Sequence, residues 1–171
     1  MSVHFPVYIF NHVAIFPERF WPKGIFVNWW VIGKGGKISK SKRGAEPVPN
    51  LLERYTADGI RLYYVHLASP HDDVMWDEAI AENYRKKVEE IYKTCQVLLD
   101  ITRKEVTKRT NIDKWIISRI NRTILEATRN MEKYNIREAA HEIFFELHKD
   151  ILWWLKRGGR DPGTAKYILD K

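Results

Sequence analysis

Apolar residues along the chain fall into two regimes. Up to about residue 76 they come in short runs between glycine, proline and charge. Phe5–Phe10 is one such run and predicts a strand. Ile25–Ile32, rich in β-branched and aromatic residues, predicts a second, buried strand. Pro17–Lys23, with Trp21-Pro22 inside it, separates the two. Leu51, Leu52 and Tyr55 predict a short amphipathic helix whose first turn suits Pro49. Ala57–Leu67 predicts another, with Ile60, Leu62, Tyr63, Tyr64 and Leu67 facing inward. Ser69-Pro70-His71-Asp72-Asp73 reads as a turn, because its acid pair and histidine lack a third ligand at helical spacing.

From Asp77 onward the period lengthens to that of long helices. Asp77 is a suitable N-cap for a helix continuing to Val106, with Ile80, Tyr84, Val88, Ile91, Tyr92, Cys95, Leu98 and Leu99 on one stripe. Asn111 or Asp113 caps the next, which turns Ile116, Ile117, Ile120, Ile124, Ala127 and Met131 inward. Asn135 breaks the pattern. A third helix runs from Arg137 to Arg157 on Ala140, Ile143, Phe144, Leu147, Ile151, Trp154 and Leu155, and Gly158-Gly159 stops it. Asp161-Pro162 opens a fourth. No repeat or low-complexity segment interrupts this plan.

Charge sharpens the division. Residues 1–100 carry 13 basic and 12 acidic side chains, whereas residues 101–171 carry 16 and 10, so nearly all of the net +7 lies on the helical end. Such a surplus suits a polyanion such as RNA, or is simply a solvated basic face. Lys114, Arg119, Arg122, Arg129, Lys156, Arg157 and Arg160 lie off the apolar stripes and are the candidate RNA contacts. Arg119 and Arg122, one turn apart, are spaced to reach adjacent phosphates. Trp115, Trp153 and Trp154 are candidates for stacking on bases, with core packing the stronger reading for Trp154. With 44% apolar residues the chain can build a core. Its single cysteine, Cys95, excludes an intrachain disulfide and a cysteine-based metal site, and with no secretory signal it points to a reducing, cytoplasmic setting. No apolar run approaches membrane-spanning length.

One stretch carries chemistry. Glycines 33, 35 and 36 end the second strand, and a loop follows that alternates Lys37, Lys40, Lys42 and Arg43 with Ser39 and Ser41. Point charges, hydroxyls and loop N–H groups together suit a polyphosphate; a solvated basic loop is the bland alternative. The order Lys37-Ile38-Ser39-Lys40-Ser41 resembles the Lys-Met-Ser-Lys-Ser signature of class I aminoacyl-tRNA synthetases. The flanks Asn11-His12-Val13-Ala14-Ile15-Phe16-Pro17, Trp21-Pro22-Lys23-Gly24-Ile25 and Ala57-Asp58-Gly59-Ile60-Arg61-Leu62-Tyr63 are similar to the leucyl synthetases of archaeal and eukaryotic type. Ile38 replaces the usual Met, and Arg43-Gly44 follows Lys42 where the family continues Gly-Asn, adding charge beside the loop.

The resemblance implies a fold and an activity. Residues 1–76 would be the end of a catalytic domain, a small α/β remnant of a Rossmann-type fold. Residues 77–171 would be an incomplete anticodon-binding helix bundle, giving a mostly α chain. The family ligates leucine to its tRNA with ATP and Mg2+. Lys37, Ile38, Ser39, Lys40 and Ser41 would bind ATP, Lys40 would act catalytically on the triphosphate, and no protein-bound metal is expected. Leucyl enzymes of this type do not read the anticodon, so the bundle would support the tRNA body. None of the six histidines is followed by the Gly-His of the family's upstream His-Ile-Gly-His-like signature. On this reading the chain is cut at both ends and inactive alone, unless a catalytic half is supplied in cis or in trans. A free-standing, non-catalytic tRNA-binding paralogue is the alternative; a DNA-binding helical protein has less support, because no recognition-helix signature stands out.

Overall fold

The computed structural model describes residues 4–25, 31–33, 36–37, 48–67, 73–105 and 108–171. They are mostly helical. In chain order they form α1 (His4–Ile15), a 3-10 turn (Glu18–Phe20), β1 (Val31–Gly33), β2 (Gly36–Lys37), α2 (Val48–Tyr55), α3 (Ala57–Leu67), β3 (Val74–Met75), α4 (Glu78–Thr102), α5 (Asn111–Glu132), α6 (Ile136–His141), a π-helical stretch (Glu142–Leu147), α7 (His148–Lys156) and α8 (Pro162–Leu169).

The expected strand at Phe5–Phe10 is instead the body of α1. A lone strand leaves its backbone groups unpaired, whereas a helix satisfies them within the segment. Aromatic residues four apart support the helix: the Tyr8 and His12 rings lie 4.2 Å apart, and the His12 and Phe16 rings 5.3 Å apart. The Trp21 indole donates to the Phe16 carbonyl at 2.8 Å and folds the following chain back. Of the second expected strand, Val31 and Ile32 are extended, Ile25 is not in a strand, and residues 26–30 lie outside the described ones. The turn at Ser69–Asp73 also lies outside them, apart from Asp73.

The sheet is small, in the order β2-β1-β3. β1 pairs antiparallel with β2, Ile32 opposite Lys37, and parallel with β3, Val31 opposite Val74. β3 is too short to show in the apolar pattern. The fully buried Tyr63 on α3 secures it: its hydroxyl donates to the Met75 carbonyl at 2.6 Å and accepts from the Asp77 N–H at 3.0 Å. Asp77 is the expected N-cap, its Oδ1 accepting from the N–H groups of Ala79 and Ile80.

Among the described residues two apolar cores result. Tyr55, Leu62, Tyr63, Val74, Ala81 and Tyr84 form the first; Leu98, Ile101, Ile116, Ile120, Ile151, Trp154, Ala165 and Ile168 form the second. α4 contributes to both. It stops at Thr102, short of Val106. Several positions expected to face inward are exposed: Ile80, Tyr92 and Leu99 on α4, Ile124 and Met131 on α5, and Ile143 and Phe144 in the π-helical stretch. Neighbouring helices cover only a narrow band of each helix, so the outer apolar positions are left facing out. Ile124, Met131 and Ile143 line an open apolar groove of about 400 Å³. Cys95 is half-buried.

Candidate nucleic-acid interface

The basic half of the molecule is organised by the start of α5. Thr110 takes the capping position, with Asp113 three residues on rather than at the cap itself. Asp113 Oδ2 accepts from the Thr110 N–H at 2.7 Å and hydroxyl at 2.6 Å, and its Oδ1 accepts from the Trp154 indole at 2.8 Å. Burial opposes this charge, but those bonds prevail and hold the carboxyl below its ordinary range. Trp154 is 0% exposed and belongs to the core, not to a base-stacking surface. Gly159 lies flat against its ring: a Cβ there would meet Trp154 Cε2 at 2.1 Å. Gly158, at φ 86°, turns the chain after α7. Asp161 then caps α8, accepting from the Thr164 N–H at 2.8 Å and hydroxyl at 2.7 Å.

This frame sorts the seven basic candidates into two groups. Lys114 stands at the start of α5, and Lys156, Arg157 and Arg160 at the end of α7, all exposed. The Trp154–Asp113 bond and the Trp115–Trp153 ring contact bring these two helix ends together. Arg157 lies over the Trp153 ring. Arg160 Nη1 donates to the Leu155 carbonyl at 3.0 Å and also to that of Gly159.

Arg119, Arg122 and Arg129 lie farther along α5. Arg119 is half-buried and its Nε donates to Asp150 Oδ2 at 2.6 Å, tying α5 to α7. Its guanidinium is thus partly committed to the fold. Arg122 is exposed, and Arg129 pairs with Glu126 at 3.2 Å. Arg119 and Arg122 share a polar groove of about 380 Å³ with Glu126, Glu142 and Glu146, so carboxylates dilute the positive field there.

Of the phosphate-loop candidates, Lys37 is placed on β2 opposite Ile32. Ile38, Ser39, Lys40 and Ser41 lie outside the described residues. Among the described residues no group of three or more His, Cys, Asp and Glu side chains is arranged to hold a metal ion, and no helix is long and apolar enough to cross a membrane.

Two polar clusters escaped the sequence reading. His66 on α3 places Nε2 3.1 Å from His141 Nδ1 on α6 and Nδ1 2.6 Å from the Tyr84 hydroxyl, with Phe145 stacked on both imidazoles. Burial, then His141 and Arg137, depress the His66 pKa. The buried His148 bridges Lys87 Nζ at 2.8 Å and the Thr94 hydroxyl at 2.9 Å, its pKa lowered by burial and by Lys87. Both unite residues far apart in sequence, and lone histidines in an apolar pattern give no local sign of that.

Two families match the chain. The one described as tRNA synthetases class I (M) matches residues 2–95, and the anticodon-binding domain of tRNA ligase matches residues 113–167. The leucine–tRNA ligase of Pyrococcus furiosus is 36% identical over 97% of this chain, and that of Methanocaldococcus jannaschii 37% identical over 98%. The chain spans only 17% and 18% of those relatives' lengths. Among solved structures, the agnB2 LeuRS of Agrobacterium radiobacter K84, in a ternary complex with tRNA and LeuAMS, shares the fold. The TM-score is 0.69 over 93% of this chain and 21% of that one, at 16% identity.

Proposed function

Because the chain belongs to the class I tRNA synthetases, we propose that it is part of a leucine–tRNA ligase, a cytoplasmic enzyme that joins leucine to its tRNA with ATP and Mg2+. The observation that carries this reading is similarity to leucine–tRNA ligases over nearly the whole chain. In this proposal residues 1–76 supply the end of the catalytic domain and residues 77–171 the tRNA-supporting bundle. Lys37, Ile38, Ser39, Lys40 and Ser41 contact the ATP phosphates. Activation of an amino acid by ATP builds negative charge on those phosphates, and Lys40 would stabilise it, with Lys37 assisting. Lys114, Lys156, Arg157 and Arg160 form the stronger tRNA surface; Arg119, Arg122 and Arg129 form a weaker one, because carboxylates share their groove.

Leucine-dependent exchange of labelled pyrophosphate into ATP tests the catalytic part. We expect none from the purified 171-residue chain, whose histidines lack the Gly-His partner signature. Exchange by the chain, free of host synthetase, would overturn the reading of it as a non-autonomous part. The alternative of a free-standing tRNA-binding module draws on one observation: the bundle closes its own core from α4, α5, α7 and α8. Titration of leucine tRNA, an unrelated tRNA and duplex DNA across a salt series separates the two. Preference for tRNA at physiological salt favours the module, and indistinguishable curves favour the ligase part.

A further inference from the structure

The Trp115–Trp153 pair differs from the other aromatic contacts of the bundle. Trp153 is 41% exposed, although the next residue, Trp154, is fully buried. Trp115 is half-buried and packs against the bundle core. The two ring centroids lie 4.4 Å apart with planes tilted by 53°. An anchored neighbour therefore fixes the Trp153 indole while much of its surface stays open. A ring already held in place loses little conformational freedom when a ligand stacks on it.

One cation contacts it. Arg157 holds its guanidinium 5.2 Å from the Trp153 centroid. Lys156, three residues on along α7, is exposed, Lys114 precedes Trp115, and the Arg160 bonds to the Leu155 and Gly159 carbonyls offset the negative end of α7. Among the described residues, carboxylates pair with Arg85, Lys86, Lys93, Arg103, Arg109, Arg119, Arg129 and Lys149 of the bundle, whereas Lys114, Lys156, Arg157 and Arg160 are among the cations that form no ion pair. A fixed, open indole among unpaired cations matches single-stranded nucleic acid, whose bases stack and whose phosphates need countercharge.

We propose that Trp153, braced by Trp115, is a stacking platform for an unpaired nucleobase of RNA, with Lys114, Lys156 and Arg157 taking the flanking phosphates. The proposal rests on the tRNA-binding reading above and adds to it a contribution that salt does not screen. Phosphate contacts weaken steeply with salt, whereas base stacking does not.

The test uses the whole chain with a short oligoadenylate and with inorganic polyphosphate, each titrated across a salt series while tryptophan fluorescence is followed. Oligoadenylate should quench the fluorescence and polyphosphate should not. Trp153→Ala should weaken oligoadenylate binding about tenfold at every salt concentration, leave the salt slope unchanged and leave polyphosphate affinity intact. Trp153→Phe should keep most of the affinity. Arg157→Gln together with Lys156→Gln should flatten the slope by about one unit for each phosphate no longer neutralised. If Trp153→Ala binds oligoadenylate as the parent does, the platform is refuted while the tRNA-binding reading survives. Equal losses for oligoadenylate and polyphosphate would mark a packing role and also refute it. Failure of the unaltered chain to bind any RNA at low salt would remove both.

Discussion

α1 and α8 make an instructive pair. α1 is twelve residues long and almost wholly apolar or aromatic, yet none of its residues is buried, and Phe10 is 72% exposed. α8 is eight residues long and includes proline, glycine, threonine and lysine, yet it buries Pro162, Thr164, Ala165 and Ile168. Burial follows from the surfaces a segment meets, not from its own apolarity. α8 lands between the end of α4 and the start of α5, where Leu98, Ile101 and Ile116 await it. α1 meets no comparable surface within the described residues.

The largest effect should come from removing what α8 and its neighbours pack on. Trp154→Ala should destabilise the bundle by about 3–5 kcal/mol in chemical denaturation. A loss below about 1 kcal/mol would show that the second core is not what holds the bundle. Gly159→Ala tests the same ring from outside: its new Cβ forces the indole to shift, at about 1–3 kcal/mol.

Next comes Asp113→Ala. It leaves the Trp154 indole N–H and the Thr110 N–H without their acceptor, and should cost about 2 kcal/mol. Asp113→Asn should cost less, since one amide oxygen still accepts. Equal stability of both variants and the parent would sink the assignment of Asp113 as the pivot between α5 and α7.

A smaller, pH-dependent effect should centre on the histidines. His66 and His148 both have folded pKa values below the unfolded value near 6.5. The folded state then binds fewer protons than the unfolded one. The stability from the neutral forms is fully present above about pH 6.5 and erodes as pH falls below it. Melting curves from pH 7.5 to pH 5 should show that decline, and His148→Gln should reduce it. A flat profile would mean neither histidine titrates differently on folding.

The smallest change in stability should come from α1. Replacing Val7, Phe10 and Ile15 by serine should shift unfolding by no more than about 0.5 kcal/mol. The same variant should self-associate less by sedimentation, because an exposed apolar patch has been removed. A large loss of stability would show that α1 packs in solution after all.

Most of the helical plan was legible in the sequence. The spacing of Leu62, Tyr63 and Tyr84, and of Ile116, Ile120, Ile151 and Trp154, picks out core residues because each helix face repeats one physical demand over many turns. Asp77, Asp161 and Gly158 mark helix ends through local chemistry. Phe5–Phe10 misled because an apolar run of six residues fits either a strand or a helix; the four-residue step from Tyr8 to His12 to Phe16 was the sign of a helix. β3 was hidden because two residues carry no period, and Tyr63 defines it from a distance. The basic candidates were legible as a population but not by role. Charge alone does not distinguish Arg119, bonded to Asp150, from Arg157, lying over Trp153. The phosphate loop is legible only by its motif, since Ile38–Ser41 lie outside the described residues.

α4 enters both cores. It buries Ala81 and Tyr84 in the first and Leu98 and Ile101 in the second, on one uninterrupted helix. Each residue of a helix adds about 1.5 Å and about 100°. The stretch from Tyr84 to Leu98 therefore acts as a phase coupling between the two cores, not as a tether. Changing an exposed residue such as Tyr92 alters little. Inserting or deleting a single residue there would rotate one core by about 100° against the other, tearing the His66–His141 contact across that joint. Along this stretch the exposed positions are free to drift in identity, whereas Lys87 and Thr94, bonded to His148, and the residue number are not.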